Sequence, residues 1–191
     1  MGLSAPFRAA AILSAVIALG APALCAQPLE QAVKAAFMPK FAPYVSWPSS
    51  SLAPGMPLNI CVVGRDPLGS FLNEASAGQQ LGQSPIAVRR LTTIERTSGC
   101  HMAFLGGSDR QSIDAALASL RGAPVLTVTD ARSGSSRGMV HFDLHQGRVR
   151  FHIDTVAARA SGLTISSRLL NLALTVKAWW APFELSPQDH G

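Results

Sequence analysis

Acidic residues are scarce in this chain. Asp and Glu total eleven of 191 residues, and no two carboxylates stand out as an acid–base pair. The phosphate-cradling patterns G-x-G-x-x-G and G-x-x-x-x-G-K are both missing, so dinucleotide or nucleoside-triphosphate use has no support. Cysteine is nearly absent too: three residues with no C-x-x-C, which excludes a thioredoxin motif and a metal-binding C-x-x-C. The sixteen basic residues are scattered. Arg89-Arg90 and Arg148/Arg150 are the densest spots, and neither builds a nucleic-acid stripe. Beyond residue 26 no run is long and apolar enough to span a membrane.

What is present begins with a leader. Arg8 precedes an apolar run from Ala9 to Leu19, and small residues close it at Ala21-Pro22-Ala23-Leu24-Cys25-Ala26. That layout is a secretory signal peptide, residues 1–26, with cleavage after Ala26. A lipid-bearing Cys25 is the weaker alternative, because Leu24 is bulkier than such a site usually allows. Residues 27–191 remain as one domain with room for a real core. Without Arg8, fifteen basic residues face eleven acidic ones, a charge of about +4. Export leaves two cysteines, Cys61 and Cys100. In an oxidising compartment an even pair reads as a disulfide; two buried free thiols are the alternative. A bridge would close a loop of about 40 residues, worth about 3–4 kcal/mol by chain entropy.

The pattern along the chain is one helix, then alternating strands and helices, then a hairpin, then a helix. The opening helix runs from Gln31 to about Val45. Leu58–Val63, Ile86–Leu91, His101–Leu105 and Pro124–Val128 read as strands. Ser108 caps a helix to Arg121 with Ile113, Leu117 and Leu120 on one face. Strands separated by helices predict an α/β fold: a single compact domain, a mainly parallel sheet flanked by helices, Rossmann-like. In such sheets ligands sit outside the carboxyl ends of the strands. Arg65, Asp66 and Ser108 therefore mark a candidate ligand cleft.

A C-terminal antiparallel β-hairpin is the most legible piece. Met139–Leu144 and Val149–Asp154 pair Phe142 with Phe151, Asp143 with Arg150 and His141 with His152. Val140, Phe142, Leu144, Val149, Phe151 and Ile153 then face the core. His141, Asp143, His145, Arg148, Arg150 and His152 form a wet face, with an Asp143–Arg150 ion pair. Two facing histidines beside Asp143 can be read as a metal site, but no motif spacing supports one. Gly134-Ser135-Ser136-Arg137-Gly138 matches G-x-S-x-G, yet it lies in a polar loop leading into a strand, the wrong context for a nucleophile elbow. No cofactor and no catalytic residue is assigned.

Two apolar features complete the reading. Val33, Phe37, Phe41 and Tyr44 make an aromatic stripe on the opening helix, while Pro39 and Pro43 fall on the opposite, outer side and bend it. Ser167 caps a C-terminal helix through Trp180. Leu169, Leu172, Ala173, Val176, Trp179 and Trp180 share one of its faces, with Leu170 and Leu174 on a second. Apolar residues on two faces suggest burial against another chain, and the alternative is deep burial within the domain.

These segments together resemble the YfiR-like family of periplasmic regulators. The resemblance rests on Lys34-Ala35-Ala36-Phe37 with Phe41, Tyr44-Val45 and Trp47-Pro48; on I-C-V-V-G-R-D-P-L-G from Ile60 to Gly69; and on C-H-M-A-F-L from Cys100 to Leu105. It continues through Pro124–Asp130, Gly138–Phe142 with Gly147–Ile153, and Gly162–Ala173. Met38-Pro39-Lys40 departs from the family's usual triplet, and a second cysteine pair seen in some relatives is absent. The resemblance implies a compact α/β domain, often dimeric, without catalysis. It implies a protein that restrains an inner-membrane diguanylate cyclase by binding its periplasmic sensor domain, with an outer-membrane lipoprotein able to sequester it. It also implies a Cys61–Cys100 disulfide and a role in repression for the apolar C-terminal helix. The expected partner surface is Leu169, Leu170, Leu172, Val176, Trp179 and Trp180, with Phe41 and Trp47. The competing expectation is a periplasmic small-ligand sensor that uses the strand-end cleft and works with another envelope receptor or a histidine kinase.

Overall fold

The computed structural model describes residues 26–178 together with Gly2. Its first elements are helix α1 (Ala26–Phe41), a 3-10 turn (Ala42–Tyr44) and strands β1 (Val45–Ser46) and β2 (Leu58–Gly64). Then come α2 (Gly69–Ser76), β3 (Gln80–Leu81), β4 (Ser84–Leu91), β5 (Met102–Gly107), α3 (Ile113–Ser119) and β6 (Leu126–Asp130). A second 3-10 turn (Ala131–Ser133) leads to β7 (Val140–His145), β8 (Arg148–Asp154), α4 (Thr155–Ala160), β9 (Thr164–Ile165), α5 (Ser167–Leu170) and β10 (Thr175–Lys177).

The continuous apolar runs form the middle of the sheet, because a strand covered on both faces has no side to leave polar. β5 and β6 are buried at every residue, and β2 is buried along most of its length. The order across the sheet is β10-β8-β7-β6-β5-β2-β4-β3. β4, β2, β5, β6 and β7 run parallel, whereas β3 and β8 run against their neighbours and β10 runs parallel to β8. The sheet is therefore mixed, with parallel strands at its centre. Alternation splits the core in two. Ile60 and Val62 pack with Met38, Phe41, Leu72, Phe104 and Phe142. Cys61 and Val63 pack with Leu105, Ile113, Leu120 and Val125. Cys61 and Cys100 are disulfide-bonded, with Cα atoms 5.9 Å apart. β7 and β8 pair in the register read from the sequence, Phe142 with Phe151 and His141 with His152.

Several expectations fail for physical reasons. The opening helix begins at Ala26 rather than Gln31 and ends at Phe41 rather than Val45. Its buried side is Lys34, Ala35, Met38 and Phe41, so Val33, Phe37 and Tyr44 form a flank and not the centre of the contact. Phe37 is half-buried, its ring 5.6 Å from that of Phe151 and 5.8 Å from that of Phe41. Pro39 is buried inside α1, not on its outer face. Pro43 is exposed and is the second residue of the 3-10 turn, where a missing N–H costs little. The helix before β6 is capped by Ser112, not Ser108, and starts at Ile113.

The largest correction is at the C-terminal side. The predicted helix from Ser167 to Trp180 is a single turn, Ser167–Leu170. The chain then extends. Leu174 N–H donates to the Phe151 carbonyl at 2.7 Å, and β10 pairs with β8. β-branched Thr175 and Val176 suit an extended chain, and pairing satisfies backbone groups that β8 would otherwise leave open. Leu169, Leu172 and Val176 thus share no helical face, and Trp179 and Trp180 lie outside the described residues. The wet face also fails at His141, which is 3% exposed. β7 is an interior strand between β6 and β8, and the His141 Nδ1 lies 2.8 Å from Thr129 Oγ1. Asp143 meets His152 at 3.4 Å, in place of the predicted pair with Arg150. Leu144, expected in the core, is 38% exposed near the turn.

Candidate functional site

The carboxyl ends of β2, β5 and β6 open onto two adjoining hollows of about 490 and 430 Å³ that share Arg65 and Ser133. Close approach of two strand ends builds this place. Arg65 N–H donates to the Gly107 carbonyl at 3.0 Å and Arg65 Nε to the Gly106 carbonyl at 3.4 Å. A β-carbon on Gly64 would strike the Gly107 carbonyl, and one on Gly106 would strike that of Arg65. Gly64 also holds a φ of +78°, which other residues rarely adopt.

Of the three cleft residues expected from sequence, all line these hollows, but they differ in what they have left to offer. Asp66 Oδ1 accepts N–H bonds from Leu68 and Gly69, both at 2.9 Å. Its Oδ2 accepts from Arg90 Nε at 2.8 Å. That carboxylate is a turn cap held by a guanidinium. Ser108 closes the turn after β5, its Oγ accepting from Arg110 and Gln111 N–H. Arg65 is exposed and makes no ion pair among the described residues.

The wall opposite holds a charge cluster. Lys34, 1% exposed, donates from Nζ to Asp130 at 2.7 and 2.9 Å and to Glu30 Oε1. Arg132 grips Glu30 with both ends of its fork, at 2.7 and 2.6 Å. Asp130 Oδ1 also caps the turn after β6 through Arg132 N–H at 3.1 Å. Burial pushes the Glu30 carboxyl up, but the hydrogen bonds and charges of Arg132 and Lys34 outweigh it and hold it below its ordinary value. The Glu30 hydrogen bond and charge in turn raise the Arg132 guanidinium. Two cations and two carboxylates balance, so the cluster ties α1 to the end of β6 across 96 residues of sequence. Sequence reading did not assemble it, although Glu30 and Lys34 stand four apart on a helix and Asp130 ends a strand.

A separate apolar groove of about 270 Å³ lies beside the C-terminal half of α1. Phe37, Phe41, Tyr44, Ile86, Leu169 and Leu172 line it. Three residues of the expected partner surface thus meet here by a route other than a shared helix. Phe41 and Leu169 are its buried floor, and Leu172 is 57% exposed. Val176 sits on β10 at the sheet edge. Leu170 is half-buried against the main core. Trp47 lies elsewhere, its Nε1 donating to the His101 carbonyl at 3.1 Å. Ser136 stands in the loop before β7 with no helix after it, so the G-x-S-x-G match lacks an elbow. No group of three His, Cys, Asp or Glu among the described residues is placed to hold a metal ion.

A profile described as YfiR/HmsC-like matches residues 31–174. The chain belongs to the YfiR/HmsC-like family. The matched span starts inside α1 and stops just before β10. The disulfide, Arg65, Lys34, Asp130 and the groove residues Phe41, Leu169 and Leu172 fall within the part shared with the YfiR/HmsC-like family. Glu30, Val176, Trp179 and Trp180 fall outside it. No curated protein matches the chain.

Proposed function

We propose that this protein is an exported periplasmic regulator without catalysis. It binds the periplasmic sensor domain of an inner-membrane signalling protein, a diguanylate cyclase, and restrains it. The observation that carries this reading is membership of the YfiR/HmsC-like family over residues 31–174, which favours a regulator over an enzyme. A disulfide suits an oxidising compartment. No helix among the described residues is long and apolar enough to cross a membrane. Residues 1–26 serve as the export signal and 27–191 as the regulator domain.

Restraint is ordinary linkage: a regulator that prefers the inactive receptor holds it there. The contact surface is the groove over Phe41 and Leu169 with exposed Leu172; Leu170, Val176, Trp179 and Trp180 are further contacts expected from sequence. An outer-membrane lipoprotein competing for the regulator would release the receptor. Deletion of the gene should raise cellular cyclic-di-GMP, wild type should restore it, and Leu172→Asp should not. Unchanged cyclic-di-GMP on deletion removes the cyclase reading. Full restoration by Leu172→Asp moves the contact elsewhere.

The second reading is a small-ligand sensor working with another envelope receptor or a histidine kinase. It is favoured by the strand-end cleft, where Arg65 stands exposed among polar side chains. Arg65→Ala should then abolish signalling and leave receptor binding intact.

A further inference from the structure

A third concavity lies between α3 and α4, about 660 Å³, and shares only Asp114 with the strand-end cleft. Arg121 and Arg137 line it. Arg96 reaches its rim, with Nη2 bonded to the Arg121 carbonyl and set beside Gly122. All three arginines are exposed. None of them makes an ion pair among the described residues, although six other pairs form there. The chain has few acids to spare for them, and Asp114 is the only carboxylate in the lining. The positive field is felt by a neighbour: His141 is held below its ordinary value first by burial and next by the charge of Arg137.

We infer that this groove docks an acidic, extended peptide segment of a partner protein. Charge sets the partner's sign, because unpaired guanidinium groups complement carboxylates and steer their approach. Concavity sets its form. Buried Leu120, Thr127, Gly138 and Met139 lie at its base, and the exposed walls carry the short side chains of Ala118 and Ala160, so an extended chain can enter between the helices. A lipid headgroup layer needs a flat or convex face and fits this shape poorly. The groove is separate from the apolar one beside α1 and does not depend on the regulator reading.

The test is fluorescence anisotropy of a labelled peptide of alternating Glu and Gly, titrated with the protein at low and high salt. Wild type should bind it, bind the Gln-for-Glu peptide far more weakly, and lose affinity with salt. Arg121→Glu with Arg137→Glu should weaken binding by about tenfold or more. Arg148→Glu with Arg150→Glu makes the same change of charge at the β7–β8 turn and should leave binding unchanged. Ala160→Phe should weaken binding by filling the groove at constant charge. Equal loss in the two double variants would reduce the effect to net charge and overturn the proposal. So would binding to phosphatidylglycerol vesicles but not to the peptide, with the same arginine dependence.

Discussion

Lys34, Glu30 and Asp130 lie buried at the carboxyl ends of the strands, each within hydrogen-bond distance of an opposite charge. Arg96, Arg121 and Arg137 stand exposed around the α3–α4 groove and make no ion pair among the described residues. A buried charge must be matched, because leaving it unpaired costs several kcal/mol. An exposed one is hydrated and owes the fold little. The first set is structural and joins α1 to β6; the second is available to a partner. Charge count alone separates neither set, and burial with pairing separates both.

Breaking the buried set should have the largest effect. Lys34→Met leaves two buried carboxylates facing only Arg132 and should lower unfolding free energy by about 3–5 kcal/mol in denaturant titrations. Arg137→Met, the matching change in the exposed set, should stay within about 0.5 kcal/mol. A loss for Arg137→Met as large as that for Lys34→Met would erase the distinction. The disulfide gives a scale that does not depend on charge: Cys61→Ala with Cys100→Ala should cost about 3–4 kcal/mol. Arg132→Ala should cost less, about 1 kcal/mol, because its side chain is 52% exposed and solvent already screens it.

Acid sharpens the comparison. Glu30 sits below its ordinary 4.5 when folded, so the unfolded chain takes up the proton first. Its contribution is complete above about pH 4.5 and is lost as pH falls toward the lower folded value. His141 also sits below its ordinary 6.5. Its neutral form favours the fold, so that contribution is complete above 6.5 and is lost as pH falls from there. His141→Gln should flatten the stability profile just below pH 6.5 and leave the more acidic limb. If the variant keeps the wild-type slope in that window, His141 is not its source. The smallest effect should come from Leu172→Asp, which removes receptor contact and changes stability by no more than about 0.5 kcal/mol.

The sheet core was legible because its cause is local. Uninterrupted runs such as Ile60–Val63 and Leu126–Val128 bury both faces, and the turn at His145–Arg148 fixes the register of β7 and β8. The C-terminal segment was not. Leu169, Leu172 and Val176 fit a helical period, but the free edge of β8 pulled Thr175–Lys177 into the sheet. Tertiary pairing overrode a pattern that periodicity alone could not judge. The charge cluster was hidden for a similar reason. Lys34 and Asp130 meet across 96 residues, and nothing in the order of residues says which lysine will be buried. Arg65, Asp66 and Ser108 stand at the strand ends, yet only hydrogen bonding shows that Asp66 is engaged by Leu68, Gly69 and Arg90.

The regulator account is tested most directly by co-purification from solubilised inner membrane, with cyclase turnover measured on what is recovered. Wild type should bring down one membrane protein with a periplasmic sensor domain and lower its cyclic-di-GMP synthesis. Leu172→Asp, confirmed as folded, should do neither. Recovery of no such protein, or of a cyclase whose turnover is indifferent to the wild-type protein, would contradict the account.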